Sequence, residues 1–290
     1  MRHLAKYRPS LDFHALLLSA FICKMAYCPP EEVLQRWKRS KVAEVEANDI
    51  LSMHMMTVQS CPVYITSPVE SQEDAQAYFW VSRDTMYLAF RGTSSKQDFM
   101  ADGKVIPHPL ILAPTTPTIK VHKGFYDQYT SIEEQILSCI TTYEQTMKNL
   151  VVCGHSLGGA LSQLACVILK TKYPSLGITC HTYGSPRVGN RLFAETLTKC
   201  VDANVRVTNR NDPVPMMPMT HVWKHNMDTS IVIEDSCKFI LKTQDTPWYC
   251  RLCTSLGDID FANPVQDHSC DEYINRVTQI TYYHPQDNAH

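Results

Sequence analysis

Gly154-His155-Ser156-Leu157-Gly158 constrains the fold more than any other stretch of this sequence. The residues before it, Asn149 to Cys153, read as a short buried strand. Those after it, Gly159 to Lys170, carry apolar residues at helical spacing. A strand, a G-x-S-x-G turn and a helix together place a serine on a sharp turn with its hydroxyl standing clear of the backbone. Gly154 and Gly158 lack the β-carbons that would collide where the strand passes the helix. The helix start also offers free backbone N–H groups, and that of Leu157 can point at an oxyanion. The bare pentapeptide also arises by chance in glycine-bearing turns; its flanks make it specific.

A serine hydroxyl is a poor nucleophile at neutral pH, so it needs a base, and the base needs an orienting acid. In sheets built around such a turn the chain order is serine, then acid, then histidine. Asp212 fits the acid: it follows the strand Asn204–Thr208, and Pro213 and Pro215 stiffen its loop. An aspartate before proline also serves as a turn residue bonded to its own backbone, and position alone leaves both readings open. His221, His225, His268 and His284 all follow Asp212. His268 is the leading candidate, opening a short helix in which Tyr273 and Ile274 pack its backbone; position alone leaves the others in play.

The remaining pattern predicts a helix over Asp12–Tyr27 and a second starting at Pro30. The segment Lys41–Gln59 has no clear pattern. Ala77–Val81 and Met86–Arg91 predict an antiparallel hairpin. Val105–Thr118, marked by four prolines, predicts a long loop. Ile119–Gly124 predicts a short strand or turn, and Phe125–Lys148 a helix whose aromatic and aliphatic stripe is core. Strands at Gly177–Tyr183 and Asn204–Thr208 alternate with helices, which predicts a largely parallel sheet with helices on both faces. A further strand is predicted at Ser230–Ile233. With no repeat and no linker, residues 1–290 read as one domain. N-terminal helices lie at about 12–40, a catalytic core at about 75–220, and a less regular part at 221–290 carries the histidine.

The net charge of −2 and the lack of a basic run argue against nucleic acid as a partner. The apolar run Ala15–Cys23 is too short to span a membrane. Asp12, His14 and Lys24 around it favour a domain helix over a signal sequence. Of the 12 cysteines, several lie in apolar runs and read as buried thiols, and no Asn-x-Ser/Thr site occurs; both lean towards a cytoplasmic protein. Cys237, Cys250, Cys253 and Cys270 cluster late in the chain. A disulfide is one reading of that cluster, and zinc is disfavoured because no second close pair completes four ligands.

Five stretches carry a resemblance to a known family. They are Ala89–Ser95 with Asp98-Phe99, Val121–Phe125, Val152–Ala160, Tyr183–Asn190 and Asn211–Pro215. In this order, from about Tyr78 to Pro218, the chain resembles the class 3 lipase family of fungal and plant triacylglycerol and diacylglycerol lipases. The resemblance implies an α/β-hydrolase fold and a triad of Ser156, Asp212 and His268. It also implies an oxyanion hole from Thr93 and Leu157, and a short lid around Ser95, Phe99 and Met100, where the family usually has tryptophan in place of Phe99. It implies ester hydrolysis of acylglycerols at a lipid–water interface, with no metal or organic cofactor. The aromatic after His268 is spaced unusually for the family, and Cys237–Cys253 has no counterpart in it. A phospholipase or soluble-ester esterase would use the same residues. A catalytically dead lipid-binding scaffold would lack one of the three, and here all three are present.

Overall fold

The structure is a computed structural model. It describes residues 11–41, 50–68, 75–93, 106–112, 118–218, 222–225, 229–234, 239–242 and 264–283. The strands in chain order are β1 (Val63–Thr66), β2 (Gln76–Ser82), β3 (Thr85–Phe90), β4 (Pro107–Leu110), β5 (Ile119–His122) and β6 (Asn149–His155). They continue with β7 (Gly177–Tyr183), β8 (Gly189–Asn190), β9 (Ala203–Asn209), β10 (Trp223–Lys224), β11 (Thr229–Ile233) and β12 (Phe239–Lys242). The helices are α1 (Phe13–Met25), α2 (Pro30–Ser40), α3 (Ile50–Thr57), α4 (Lys123–Tyr143), α5 (Leu157–Lys172), α6 (Arg191–Cys200), α7 (Pro264–Asp267) and α8 (Cys270–Tyr283).

Eight strands form the main sheet in the order β1-β2-β3-β6-β7-β9-β11-β12. The pairings from β3 through β6, β7 and β9 to β11 are parallel. The β1–β2, β2–β3 and β11–β12 pairings at the two ends are antiparallel. The parallel centre is covered on both faces, as such sheets must be. On one face Phe79, Leu88, Val152 and Ile178 pack with α4, α5 and α6. On the other, Trp80, Ala89, Cys153 and Val207 pack with α1 and α8. Alternation along each strand sends successive side chains into opposite cores.

The expected hairpin is present, from Ala77↔Phe90 to Ser82↔Thr85. Two expectations are corrected, and a segment without a prediction gains a helix. The proline-marked stretch holds strand β4, which lies at the edge of a second sheet ordered β10-β8-β5-β4. Proline is tolerated there because an edge strand leaves one side of its backbone unpaired. The patternless segment contains α3, which is apolar nearly all round and so has no amphipathic period to read. The final helix is not short: α8 runs 14 residues, and His268 lies in the turn before it instead of opening it.

Two buried histidines couple this packing to pH. The His54 Nε2 accepts the Trp80 indole N–H at 3.1 Å, so it has no room for a proton there. Burial, with Arg83 nearby, lowers the His54 pKa to about 4. Burial likewise lowers His181, bonded to Ser19 at 2.8 Å, to about 4. In the unfolded chain both rings protonate as pH falls below their ordinary 6.5, whereas the folded protein resists until about 4. Stability is therefore full above about pH 6.5 and lost as pH falls towards 4. Each ring contributes on the order of 1–3 kcal/mol. Urea midpoints measured between pH 7.5 and 4.5 are expected to fall steadily, and His54→Gln is expected to flatten the slope.

Candidate active site

The site is built on the turn between β6 and α5. Ser156 sits there at φ 58° and ψ −127°, a conformation that costs an L-residue energy and is held by its surroundings. Its N–H donates to the Tyr183 carbonyl at 2.9 Å, and its own carbonyl accepts the Gly159 N–H at 3.0 Å. The expected glycine packing is present. A Cβ on Gly154 would lie 2.2 Å from the Gly158 carbonyl, and one on Gly158 would lie 2.3 Å from the Phe90 carbonyl oxygen. Helix α5 is buried on every side from Leu157 to Leu169, so the turn is anchored in the centre of the molecule.

Ser156, Asp212 and His268 are brought together. His268 Nε2 lies 2.7 Å from Ser156 Oγ, and His268 Nδ1 lies 2.8 Å from Asp212 Oδ2. The carboxylate accepts at Nδ1, so this nitrogen carries a proton and Nε2 is free to accept from the serine. Ser156 and His268 are 8% and 6% exposed and Asp212 is 2% exposed, so the three interact largely out of water. The remaining Asp212 oxygen accepts the Val214 N–H at 2.9 Å, which is the local turn bond expected of aspartate before proline. Both readings of Asp212 hold at once: one oxygen shapes the loop and the other faces the histidine.

Tyr273 performs a task its position did not reveal. Instead of packing against the His268 backbone, its hydroxyl donates to Asp212 Oδ2 at 2.7 Å and accepts the Asn209 N–H at 3.0 Å. Burial, and then the Asp212 charge, hold the phenol well above its usual pKa, so it stays a donor. Asn209 Nδ2 also donates to the Asp267 carbonyl at 2.8 Å. Arg276 pairs with Asp267 at 3.1 Å and Glu272 at 2.6 Å, tying α8 to the turn that carries His268. Tyr273→Phe leaves the Asn209 N–H buried and Asp212 short of one donor. It is expected to destabilise the protein by about 1–3 kcal/mol in urea unfolding. It is expected to slow ester turnover by about tenfold in steady-state kinetics.

The Leu157 N–H opens α5, where first-turn N–H groups have no acceptor within the helix. Thr93 follows the end of β3, where Gly92 passes so close to the turn that a Cβ would lie 2.7 Å from the His155 carbonyl oxygen. Ser95, Phe99 and Met100 lie outside the described residues, as do His221, His284, Cys237, Cys250 and Cys253. His225 is bonded through Nε2 to the Pro215 carbonyl, away from Ser156. Cys270 is a buried free thiol. Among the described residues no group of histidine, cysteine or carboxylate side chains is arranged to hold a metal, and no helix is long and apolar enough to cross a membrane. His155 and Tyr27, which also touch this site, gave no signal in the sequence: one is the variable position of the pentapeptide and the other follows a helix end.

Residues 87–222 match the lipase (class 3) family. A lipase of Rhizomucor miehei is 32% identical over 142 residues, 47% of this chain and 38% of that protein. A secreted mono- and diacylglycerol lipase of Fusarium solani is 41% identical over 102 residues, 34% of this chain and 29% of its own length. The matches thus span well under half of these relatives. The solved triacylglyceride lipase of Rhizomucor miehei superposes with a TM-score of 0.67 at 22% identity, covering 88% of this chain and 93% of that one, which establishes a common α/β-hydrolase fold. The class 3 lipase match thus runs through the centre of the chain, and the fold shared with the Rhizomucor miehei enzyme surrounds it.

Proposed function

We propose that this protein is a serine ester hydrolase acting on acylglycerols through an acyl-enzyme intermediate. The observation that carries the proposal is the unbroken line of hydrogen bonds from Asp212 through His268 to Ser156, 2.8 and 2.7 Å long. The names of the relatives, lipases and a mono- and diacylglycerol lipase, support the substrate class.

In this reading His268 Nε2 takes the Ser156 proton as Oγ attacks the acyl carbonyl carbon. The carbonyl π-electrons move onto oxygen, and the Leu157 N–H and Thr93 stabilise that oxyanion; one such donor contributes about 2.7–4 kcal/mol elsewhere. Asp212 holds the ring orientation and offsets the imidazolium charge. As the tetrahedral centre collapses, the ester C–O bond breaks and His268 protonates the departing alcohol. Water then repeats the sequence on the acyl-serine and releases the fatty acid.

The protein acts on lipid at an oil–water surface in a reducing compartment. The nine free cysteines among the described residues support the second part. The test is hydrolysis of emulsified di- and triacylglycerol beside a phospholipid and a short-chain nitrophenyl ester. Acylglycerols turned over fastest, with a jump in rate above the solubility limit, is the expected result. Preference for phospholipid would reassign the substrate, and smooth saturation through the solubility limit would remove the interfacial element.

A further inference from the structure

We infer that His155 and Tyr27 are positioning residues that fix the base. The inference rests on the reading of Ser156, Asp212 and His268 given above. His155 is the last residue of β6 and adjoins Ser156, and its side chain is buried, 3% exposed. Its Nε2 lies 2.7 Å from the backbone carbonyl of His268. A carbonyl only accepts, so Nε2 carries the proton. In the neutral ring Nδ1 is then an acceptor, and the Tyr27 hydroxyl stands 2.8 Å from it. Burial holds the Tyr27 phenol well above its usual pKa, so it donates. The His155 and His268 ring centres lie 4.8 Å apart, with their planes tilted by 33°.

Tyr27 reaches this position from the turn after α1. Its hydroxyl stands over Gly92, where a Cβ would lie only 2.1 Å away, and the Arg91 guanidinium lies 6.0 Å from its ring centre. Two side chains therefore join three separate parts of the site: the end of β3 before Thr93, the strand carrying Ser156, and the turn carrying His268. Asp212 orients the His268 ring through Nδ1, but a ring can be oriented well only on a fixed backbone. His268 lies between two helices with neither a strand nor a helix to hold its carbonyl. His155 supplies that hold, and Tyr27 keeps His155 in the tautomer that can give it.

The two nitrogens can be tested separately. Glutamine places an amide N–H near the histidine Nε2, and asparagine places polar atoms near Nδ1. His155→Gln is expected to keep kcat on a nitrophenyl ester within about threefold of the parent. His155→Asn is expected to lose about tenfold or more in kcat with KM little changed. Tyr27→Phe should fall between them. Phosphonylation of Ser156 by a fluorophosphonate should slow in the same order. Each variant's melting temperature is recorded, so that a loss caused by unfolding is recognised by a lowered melting point with falling active fraction. Asparagine matching the parent, or glutamine and asparagine losing equally with unchanged melting, would overturn the inference. Failure of the parent to react with the fluorophosphonate or the ester would instead overturn the proposed function itself.

Discussion

Ser156→Ala is expected to lower kcat on a medium-chain nitrophenyl ester by up to about 10⁶-fold, to the level left by binding and oxyanion donors alone. The loss is that large because, in the proposed mechanism, Ser156, His268 and Asp212 act as one unit, and removing the atom that would form the covalent bond leaves the other two nothing to activate. The variant should fold. Alanine keeps the Cβ that Ser156 already carries at φ 58°, and the backbone bonds to Tyr183 and Gly159 do not involve the hydroxyl. Its melting temperature should therefore stay within a few degrees of the parent while turnover disappears. Residual turnover above a percent, with no contaminating esterase, would place the nucleophile elsewhere.

Gly158→Ala is expected to have the largest effect on stability. The added methyl would lie 2.3 Å from the Phe90 carbonyl oxygen and 2.9 Å from the Arg91 carbonyl carbon, both backbone atoms of the neighbouring strand. Neither can swing aside as a flexible side chain would. To make room, β3 must separate from α5, and both are packed into the same core. A cost of about 4–5 kcal/mol or more is expected, a large share of the stability of an ordinary domain. The measurement is the urea midpoint of the soluble fraction beside Gly177→Ala. Gly177 begins a strand, and its nearest neighbour would be a side-chain oxygen at 3.0 Å. Equal midpoints for the two variants would show that the turn relaxes more easily than its contacts indicate.

Sequence patterning carried the central part of this fold and not its margins, for physical reasons. Strand β6 holds an apolar run, β7 and β9 place apolar residues at every second position before turn residues, and α4 has a helical stripe, so their periods are plain. The strand β4 is hidden because its four residues include two prolines, and only its place at a sheet edge permits that. Ser156 and Asp212 were legible because each stands just past a strand, where such sheets place their reactive groups. Choosing His268 over His225 needed either family resemblance or coordinates, since both follow irregular chain. The hydroxyl of Tyr273 was beyond sequence reasoning: nothing local distinguishes a tyrosine that packs on a backbone from one that reaches Asp212. Tyr27 and His155 meet across 128 positions of chain, a pairing that no periodicity encodes.

Helices α1 and α8 pack against each other on one face of the sheet, although one begins at residue 13 and the other ends at residue 283. This has a consequence for synthesis. A nascent chain that has already made the Ser156 turn still lacks His268, the tyrosine beside Asp212, and the surface on which α1 comes to rest. Contacts this distant in sequence form late, because loop closure must be offset before they return any stability. On the ribosome Ser156 therefore waits for His268 and Tyr273 until α8 has emerged.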